Sequence, residues 1–377
     1  MPDTAQLPRF AVLGAGHGGT AMAAHLTMRG FTVRLYNRSD ERIAPIRAQG
    51  GIQLSGPGLR EEEQGFARLD CVTTDIREAL EDAELVMVVT PANGHAFMAE
   101  RCAPYLRKEQ IVILHPGRTG GALEFRHVLH THGGPPDAVI AEAQTLIYAA
   151  RCNNPGQVTI YSIKSSVPVA AIPAHATPLV VRKLRTAYPQ FVPGDNVMKT
   201  SMDNIGAIFH PAITVLNAAR IESTHGEFDY YTEGVTPSVA RVLEALDAER
   251  IAVAEALGFH AMTAREWLYI AYAAAGPDLY TAMMANPGYS GIRAPLTIHH
   301  RYITEDVPMS LVPIASLGEM LDVPTPTIRE IIHLASLMHG CDYWAVGRTV
   351  ERLGLKGLSV KDIRHLVLEG HVHTADQ

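Results

Sequence analysis

Short apolar runs fill the first half of the chain, and helical spacing fills the second. In the first half, apolar or alternating runs end at residues that break regular structure, which is typical of strands in a buried sheet. These patterns predict strands at residues 10–13, 31–36, 84–90, 111–114, 138–143, 157–163 and 167–172. Helical patterns lie between several of them. The first half is therefore predicted to be an α/β domain around an open parallel sheet.

The second half is predicted to be helical. Apolar residues recur at helical spacing between residues 201 and 222, and Pro211 lies in the middle of this pattern. A proline inside a helix costs about 3 kcal/mol and usually kinks it, so a kink is predicted beside His210. The chain has no low-complexity linker, and two closely packed domains are expected. We place the α/β domain at residues 1–198 and the all-α domain at residues 199–377.

Composition excludes several classes of protein. Of the 377 residues, 47% are hydrophobic and 19% are charged, which indicates a globular enzyme. A net charge of −7 and a pI near 6.2 argue against nucleic acid or an anionic membrane as the main partner. No apolar run reaches the roughly 18 residues of a membrane span and no signal-peptide pattern opens the chain, so a soluble cytoplasmic protein is expected. The four cysteines form no C-x-x-C pair, and no metal site is expected.

A glycine-rich turn follows the first predicted strand. The string Gly14-Ala-Gly-His-Gly-Gly19 stands between that strand and a predicted helix, as the G-x-G-x-x-G motif requires. Gly14 allows the tight turn, Gly16 lets the backbone approach a pyrophosphate, and Gly19 lets the helix pack on the strand. The helix N-terminus attracts the phosphates. We therefore predict a Rossmann-type dinucleotide site in which His17 and Gly18 also contact the cofactor.

The end of the second predicted strand bears on the choice of cofactor. NADH enzymes carry an acidic residue there, which binds the adenosine ribose. Here the string is Asn37-Arg38-Ser39, and a guanidinium suits a 2′-phosphate. NADPH is therefore predicted, with NADH as the less favoured alternative. An ordinary charged loop, in which Asp40 and Glu41 partly neutralise Arg38, is the competing interpretation.

Ligands of open parallel sheets lie at the carboxyl ends of the strands. Thr90 and Pro91 end one predicted strand, and the loop His115-Pro-Gly-Arg-Thr-Gly-Gly121 ends the next. We expect these residues near the nicotinamide, although each could be a plain turn. The pocket and surface interpretations of Arg118 carry equal weight, and Thr119 beside it is a candidate substrate contact.

Several strings distributed over residues 9–366 resemble the opine dehydrogenase family of the octopine and nopaline dehydrogenase type. Within that family the chain is most similar to the bacterial branch that includes N-(1-carboxyethyl)-norvaline dehydrogenase. The strings are the glycine turn, Pro116-Gly117-x-Thr119-Gly-Gly121-Ala-Leu-Glu-Phe125, Asn204-x5-His210-Pro211 with Leu216-Asn217-Ala-Ala-Arg220-Ile-Glu222, Tyr231-x-Glu233-Gly234-x-Thr236-Pro237-Ser238, Arg301-Tyr302-Ile-Thr-Glu305-Asp306-Val-Pro308, Leu311-Val-Pro-Ile-Ala-Ser-Leu-Gly318 and Pro324-Thr-Pro326.

The resemblance implies a reductive condensation. An amino acid and a 2-oxo acid, commonly pyruvate, form an imine that a nicotinamide hydride reduces. By resemblance His210 is the acid/base, Asp306 is its partner, and Arg301 contacts the cofactor or the substrate carboxylate. A histidine suits this chemistry because it titrates near neutrality, and a carboxylate partner fixes its tautomer. Asn204 is a candidate for the same pocket.

Each of these residues also has a structural interpretation. His210 could be a core histidine, Asp306 a helix cap or surface charge, Arg301 a salt-bridge partner across the cleft, and Asn204 the cap of the following helix. The acidic residue of NADH-using relatives is replaced by Asn37-Arg38, and His17 and Arg118 stand where relatives vary. These departures bear on specificity.

Two other functions compete with the resemblance. A 2- or 3-hydroxy acid dehydrogenase has a similar architecture, but many use a lysine at the hydride centre, and the two hallmark strings around His210 and Asp306 contain none. An NADPH-binding regulator would need the glycine turn without the His210 and Asp306 pair. The expected partners are the amino acid and the 2-oxo acid. A homodimer is one option that the sequence leaves open, as is the identity of the amino acid.

Overall fold

The computed structural model describes residues 7–372 and divides into two compact units. The first unit contains the residues up to 117, residues 121–200 and the residues from 365 onward. The second contains residues 118–120 and 201–364. The ends of the two predicted domains, residues 1–6 and 373–377, lie outside the described residues. Within the described range, no helix is long and apolar enough to cross a membrane.

Twelve strands lie within residues 7–372, all of them in the first unit. They are β1 (Phe10–Leu13), β2 (Val33–Tyr36), β3 (Gly51–Ser55), β4 (Gly65–Arg68), β5 (Cys71–Thr73), β6 (Leu85–Val88), β7 (Ile111–Leu114), β8 (Val139–Ala143), β9 (Tyr148–Asn154), β10 (Gln157–Ile163), β11 (Val167–Ile172) and β12 (Phe191–Pro193). The main sheet has the order β12-β11-β8-β7-β6-β1-β2-β5, and a second sheet has the order β4-β3-β10-β9. Strands β1, β6 and β7 are buried along their whole length, as their unbroken apolar runs predict.

Two predictions about the sheet were wrong. Strand β11 pairs antiparallel with β8, and β12 follows it as an edge strand, so the sheet is mixed rather than parallel. A parallel pair needs a crossover connection that is usually helical, whereas the chain between β8 and β11 forms only β9 and β10. Strand β10 does not join the main sheet, because the turn at residues 155–156 folds it back onto β9.

The remaining elements of both units are helices. They are α1 (His17–Met28), α2 (Asp40–Gln49), α3 (Ile76–Leu80), α4 (His95–Cys102), α5 (Gly121–Thr131), α6 (Thr177–Arg185), α7 (Val197–Met202), α8 (Gly206–Leu216), α9 (Ala218–Thr224), α10 (Pro237–Ala256), α11 (Ala264–Tyr272), α12 (Leu279–Met284), α13 (Arg301–Thr304), α14 (Val312–Met320), α15 (Pro326–His339), α16 (Tyr343–Val346) and α17 (Val360–Glu369). Short 3₁₀ turns and one π-helical turn, Val307–Leu311, lie between them.

The long helix α10 organises the second unit, where it packs against α8, α12, α14 and α15. Arg250 on this helix is fully buried and donates hydrogen bonds to Asp247 and to the carbonyls of Met202 and Met262. The other oxygen of Asp247 accepts the first N–H of α11, from Ala264, at 2.7 Å. A buried charge pair that is fully hydrogen-bonded therefore joins the end of α7 to the start of α11.

The predicted helix over residues 201–222 is present in a different form. The chain turns between α7 and α8, and α8 continues through Pro211 before it breaks at Asn217. The backbone of Asn217 leaves the helical region, with φ −113° and ψ 16°. Its side chain donates to the carbonyls of Ile213 and Gly234, and these bonds hold the break in place. The break in the predicted helix therefore lies at Asn217, and the kink at Pro211 stays a prediction.

A buried polar network joins α1 to the second sheet. The Nδ1 atom of His25 lies 3.0 Å from the Tyr148 hydroxyl, which donates to the Tyr188 hydroxyl at 2.7 Å. The Nε2 atom of His25 lies 3.4 Å from the Glu63 carboxylate. The same carboxylate accepts a hydrogen bond from the Arg60 guanidinium at 2.9 Å. The hydrogen bonds from Arg60 lower the pKa of Glu63 to about 2.

Replacement of Glu63 with Gln should flatten the acid limb of the stability profile. Because the folded-state pKa is lowered from 4.5, the stabilisation is present above about pH 4.5 and is lost as pH falls toward 2. The wild type should therefore lose roughly 2 kcal/mol more unfolding free energy over this range than the variant, a figure discounted because Arg60 is exposed to solvent. Urea unfolding at a series of pH values measures this difference. The control Glu62→Gln removes an exposed partner of Arg60 and should keep the wild-type slope. If the unfolding free energies of wild type and Glu63→Gln fall equally between about pH 4.5 and 2, Glu63 does not have the lowered pKa.

Candidate active site

The glycine turn of the first unit has the geometry of a phosphate cradle. Gly14 has a φ of +115°, and a Cβ there would lie 2.6 Å from the Val89 carbonyl oxygen. A Cβ on Gly19 would lie 1.8 Å from the Gly14 oxygen, and one on Gly18 would lie 2.9 Å from Leu146. A Cβ on Gly16 would meet nothing within 4 Å. The turn is therefore closed toward the protein and open at Gly16, which fits the pyrophosphate of a dinucleotide at the N-terminus of α1.

Asn37 and Arg38 occupy different environments at the end of β2. The Asn37 side chain accepts the Ala15 N–H at 3.1 Å and donates to the Ser39 carbonyl, so it ties the glycine turn to this strand. The Arg38 guanidinium lies 5.6 Å from the centre of the Phe97 ring. Asp40 pairs instead with Arg47, at 3.0 Å. Among residues 7–372, no carboxylate lies within ion-pair distance of Arg38.

His17 belongs to the glycine turn, and Thr90 follows β6 beside that turn. The exposed His17 ring accepts the N–H of Cys152 on β9 through Nδ1 at 2.8 Å, and this bond holds the start of α1 to the second sheet. The Thr90 hydroxyl, directly after β6, is buried and has no hydrogen-bond partner among the described residues. Pro91 follows it in extended backbone. An unpartnered buried hydroxyl beside the turn is consistent with a ligand at this edge of the sheet.

The loop after β7 is held in an unusual conformation. A Cβ on Gly117 would lie 2.3 Å from Oε2 of Glu142, so a side chain is excluded there. The Glu142 carboxylate accepts the Ala122 N–H at 2.9 Å and the Thr200 hydroxyl at 2.7 Å. Arg118 then adopts a φ of +60°, which is strained for a residue with a side chain. Our sequence analysis missed Glu142, although a carboxylate inside an apolar strand was a signal for it.

His210 and Asp306 are brought together in the second unit. The Nδ1 atom of His210 on α8 lies 2.9 Å from Oδ2 of Asp306. Asp306 is fully buried and directly precedes the π-helical turn, whereas the His210 side chain is 19% exposed. The interpretations of Asp306 as a surface charge and of His210 as a fully enclosed core residue are therefore excluded. The partly exposed ring can reach a substrate while the carboxylate orients it from behind.

A chain of alternating charges extends from this pair. Arg118 lies 3.2 Å from Oδ1 of Asp306 and 3.4 Å from Oε1 of Glu305. Arg301 contacts the other oxygen of Glu305 at 2.6 and 2.8 Å. Burial alone would raise the pKa of Asp306, but the charge of Arg118 and the hydrogen bond from His210 outweigh it and keep this pKa below its ordinary value.

The Arg118 side chain is only 12% exposed, which excludes the surface interpretation, and the Arg301 side chain is half exposed. The salt bridge of Arg301 is made within the second unit, to Glu305 four residues later. Sequence analysis left Glu305 without a role. The four-residue spacing from Arg301 was the available signal.

Aromatic and hydroxyl groups fix the imidazole from its other sides. The Tyr302 ring stacks on His210 at 4.2 Å with an interplanar angle of 18°. The Tyr230 hydroxyl donates to the His210 carbonyl at 2.8 Å and shares a 2.7 Å hydrogen bond with Thr214. Burial raises the pKa of Tyr230. Neither tyrosine was among the predicted site residues. Tyr302 stands in the family string directly after Arg301, which was a signal for it, whereas no sequence pattern distinguishes Tyr230 from a core residue.

Asn204 and Thr119 are both buried near this cluster. The Asn204 amide donates to the Ser310 hydroxyl at 3.0 Å and to the Thr119 hydroxyl at 3.3 Å, and Thr119 donates to the carbonyl of Ser201. The residue that caps α8 is Ile205, so the interpretation of Asn204 as a helix cap was wrong. Its amide instead joins three segments of the second unit.

The chemistry of this cluster is that of proton transfer beside an anion site. One nitrogen of His210 is occupied by Asp306, which leaves Nε2 to exchange a proton with a ligand. Arg118 and Arg301 present guanidinium groups that suit carboxylates. No group of three or more metal-binding side chains is found in the described part of the chain.

Two family models match the chain. Residues 193–339 match the α-helical domain of NAD/NADP octopine/nopaline dehydrogenase, and residues 9–117 match the N-terminus of NAD-dependent glycerol-3-phosphate dehydrogenase. The chain is 41% identical to an opine dehydrogenase from Arthrobacter sp. (strain 1C), over 95% of this chain and 98% of that protein.

Solved structures match the fold of the whole chain. An octopine dehydrogenase in complex with NADH and agmatine superimposes with a TM-score of 0.81 at 20% identity, over 98% of this chain and all of that one. A yersinopine dehydrogenase with NADP+ bound gives a TM-score of 0.74 at 17% identity, over 93% of each chain. The predicted fold class, an α/β dinucleotide-binding domain followed by a helical domain, is confirmed.

Replacement of Asp306 with Asn should lower kcat by roughly 10²- to 10⁴-fold, because an amide can hold the wrong imidazole tautomer and cannot stabilise the imidazolium. Steady-state kinetics measures this loss. The matched control Glu305→Gln also removes an acidic partner of Arg118 but leaves the imidazole paired, so its kcat should fall far less. Because His210 and Asp306 act as one unit, the double variant should be scarcely slower than His210→Ala. Multiplicative losses would refute this coupling.

Proposed function

This chain belongs to the opine dehydrogenase family, as its motifs predicted, and we propose that it reductively condenses an amino acid with a 2-oxo acid. Family members are oxidoreductases that act on CH–NH groups with a nicotinamide cofactor. We propose pyruvate as the oxo acid, NADPH as the cofactor and an N-(carboxyalkyl) amino acid as the product. The observation that carries the proposal is the His210 and Asp306 pair beside the buried guanidinium of Arg118.

The residues of the second unit have distinct roles in this reaction. Arg118, assisted by Thr119 and Asn204, binds and orients a substrate carboxylate, and Arg301 binds a second anionic group of substrate or cofactor. His210 then moves the protons at Nε2. It accepts a proton from the ammonium group, which frees the amine lone pair to attack the oxo carbon. A second N–H proton passes to the former carbonyl oxygen and gives the carbinolamine. His210 then donates its proton to the carbinolamine hydroxyl, which leaves as water.

The iminium carbon formed by that loss of water must receive two electrons, and a bound nicotinamide supplies them as hydride. As the C–H bond forms, the electron pair of the C=N double bond moves to nitrogen as a lone pair. The product is a secondary amine. Asp306 stays ionised throughout, because Arg118 and His210 hold its pKa low, and it stabilises the imidazolium form of His210.

The preference for NADPH rests on Arg38. This guanidinium follows β2, where an NADH enzyme presents a carboxylate, and it has no ion-pair partner among the described residues. Related structures bind NADH in one case and NADP+ in another, so the local residues decide the cofactor. We propose that Gly14, Gly16, Gly18 and Gly19 form the pyrophosphate site, with His17, Asn37, Thr90 and Pro91 at its edges.

We propose that the two predicted domains bind different ligands. Residues 1–198 bind the dinucleotide, and residues 199–377 bind the substrates and carry out proton transfer. Arg118 and Thr119 are exceptions, since they come from the α/β sequence and serve the substrate site.

Replacement of Arg38 with Ala should raise KM for NADPH by at least about 10-fold and leave KM for NADH nearly unchanged, because only NADPH has the 2′-phosphate that the guanidinium binds in two hydrogen bonds. Initial rates at varied cofactor concentration give both constants. The exposed Arg77 on α3 provides the control, and Arg77→Ala should change neither value. A wild-type enzyme that prefers NADH would overturn the proposal.

Oxidation of NADPH should require both the amino acid and the oxo acid, because hydride is transferred to the iminium and not to the free carbonyl. Absorbance at the NADPH band, followed with each substrate alone and with both, tests this requirement. Mass spectrometry of the product should show the secondary amine. Steady NADPH oxidation with the oxo acid alone, and a hydroxy acid as product, would instead indicate a hydroxy acid dehydrogenase.

A further inference from the structure

Gly206 lies at a point where three polar groups of the second unit converge. It is the first residue of α8, directly after the turn that carries Asn204. A Cβ built on Gly206 would lie 3.1 Å from Nη1 of Arg118, 3.3 Å from Cε1 of His210 and 3.4 Å from Oδ1 of Asn204. The side chains of Arg118, His210 and Asn204 thus surround the place where a side chain of residue 206 would be.

Backbone conformation does not require glycine at this position. Gly206 is not among the glycines with positive φ, in contrast to Gly14 and Gly120. No backbone atom is among the three nearest neighbours of its Cβ, in contrast to Gly19. Alanine is also the better helix former. Glycine here gives the three side chains room to pack against the start of α8.

The groups around that room suit a 2-oxo acid. The Arg118 guanidinium contacts Glu305 through Nε and Asp306 through Nη1, and its Nη2 makes no hydrogen bond with the described residues. It can therefore bind a carboxylate. Cε1 of His210 is bonded to Nε2, the nitrogen that exchanges protons in the proposed reaction. The Asn204 oxygen is an acceptor that suits the N–H of a substrate amine.

We propose that Gly206 is a positioning residue: its missing side chain lets the Arg118 guanidinium lie against the start of α8, next to His210, where it holds the carboxylate of the 2-oxo acid. This inference rests on the proposed function. A Cβ at position 206 would lie 3.1 Å from Nη1 of Arg118, so a methyl group there pushes the guanidinium away from Asp306 and from the substrate carboxylate. The oxo acid then loses its anchor while the cofactor site is untouched.

The test compares wild type with Gly206→Ala, and Gly288→Ala is the control. Gly288 is an exposed glycine of the second unit whose φ is also not positive. In Gly206→Ala, KM for pyruvate should rise about 10- to 100-fold, the usual effect of one methyl group in a tight pocket, while KM for NADPH changes less than about twofold. The rise in thermal midpoint caused by pyruvate with NADPH should disappear. The midpoint without ligand should change little, because alanine favours the helix by about 1 kcal/mol and this gain offsets the displacement of the guanidinium. Gly288→Ala should match wild type in each measurement.

A second pair of variants tests whether the effect passes through the guanidinium. Arg118→Lys keeps the charge but loses the two-pronged contact, and its own KM for pyruvate should rise. If the methyl group acts on the carboxylate held by Arg118, the double variant should be much less impaired than the product of the single losses. Unchanged KM for pyruvate in Gly206→Ala would overturn the inference. An equal rise in KM for pyruvate, the amino acid and NADPH, together with a lower thermal midpoint, would also overturn it. Absence of turnover in wild type with every pair of amino acid and oxo acid would instead refute the proposed function, and pyruvate binding would still report on the subsite.

Discussion

The buried carboxylate of Asp306 is the constraint on which the arrangement of the second unit depends. An ionised carboxylate without solvent is expensive unless other groups compensate for the lost hydration. Here the compensation comes from Arg118 at 3.2 Å and from His210 at 2.9 Å, which arrive from distant parts of the chain. Removal of either partner takes away part of this compensation, so the geometry of the His210 and Asp306 pair and the stability of this region are linked.

The backbone around Asp306 is adapted to that requirement. Arg118 accepts a left-handed conformation, and Gly117 before it is packed against Glu142. On the other side, the π-helical turn begins directly after Asp306, and such turns often occur at functional sites. The unfavourable conformation of Arg118 is offset by the ion pairs that it makes with Asp306 and Glu305. Strain and charge are therefore concentrated at the same place.

Charge balance connects this cluster to its chemistry. Arg301, Glu305, Arg118 and Asp306 carry two positive and two negative charges, so the four side chains are neutral as a group. A proton on His210 makes the cluster positive, and an incoming carboxylate restores neutrality. Electrostatics thus favours the imidazolium and the anionic substrate together, which is what acid catalysis on an oxo acid needs. The stacked Tyr302 ring adds a face that interacts well with a cationic imidazole.

The sequence by itself determined the elements whose cause is local. The glycine turn, the buried strands β1, β6 and β7 and the family motifs follow from residue type and spacing, because turn geometry and burial on both faces of a sheet leave a direct pattern. The sequence also placed His210 and Asp306 in one site, but only through resemblance to a family. Their spacing of 96 residues carries no physical signal.

Tertiary structure alone decided the rest. Strand β11 runs antiparallel to β8 because the chain between them forms strands β9 and β10 and no crossover helix. Helix α8 breaks at Asn217, where the distant carbonyl of Gly234 accepts a hydrogen bond from the Asn217 side chain. The burial of Arg118, the partnership of Glu305 with two arginines and the close approach of Arg118 to Gly206 depend on segments that meet only after folding. Long-range contacts of this kind are specified by the packing of the whole unit, so no local pattern of hydrophobic and polar residues contains them.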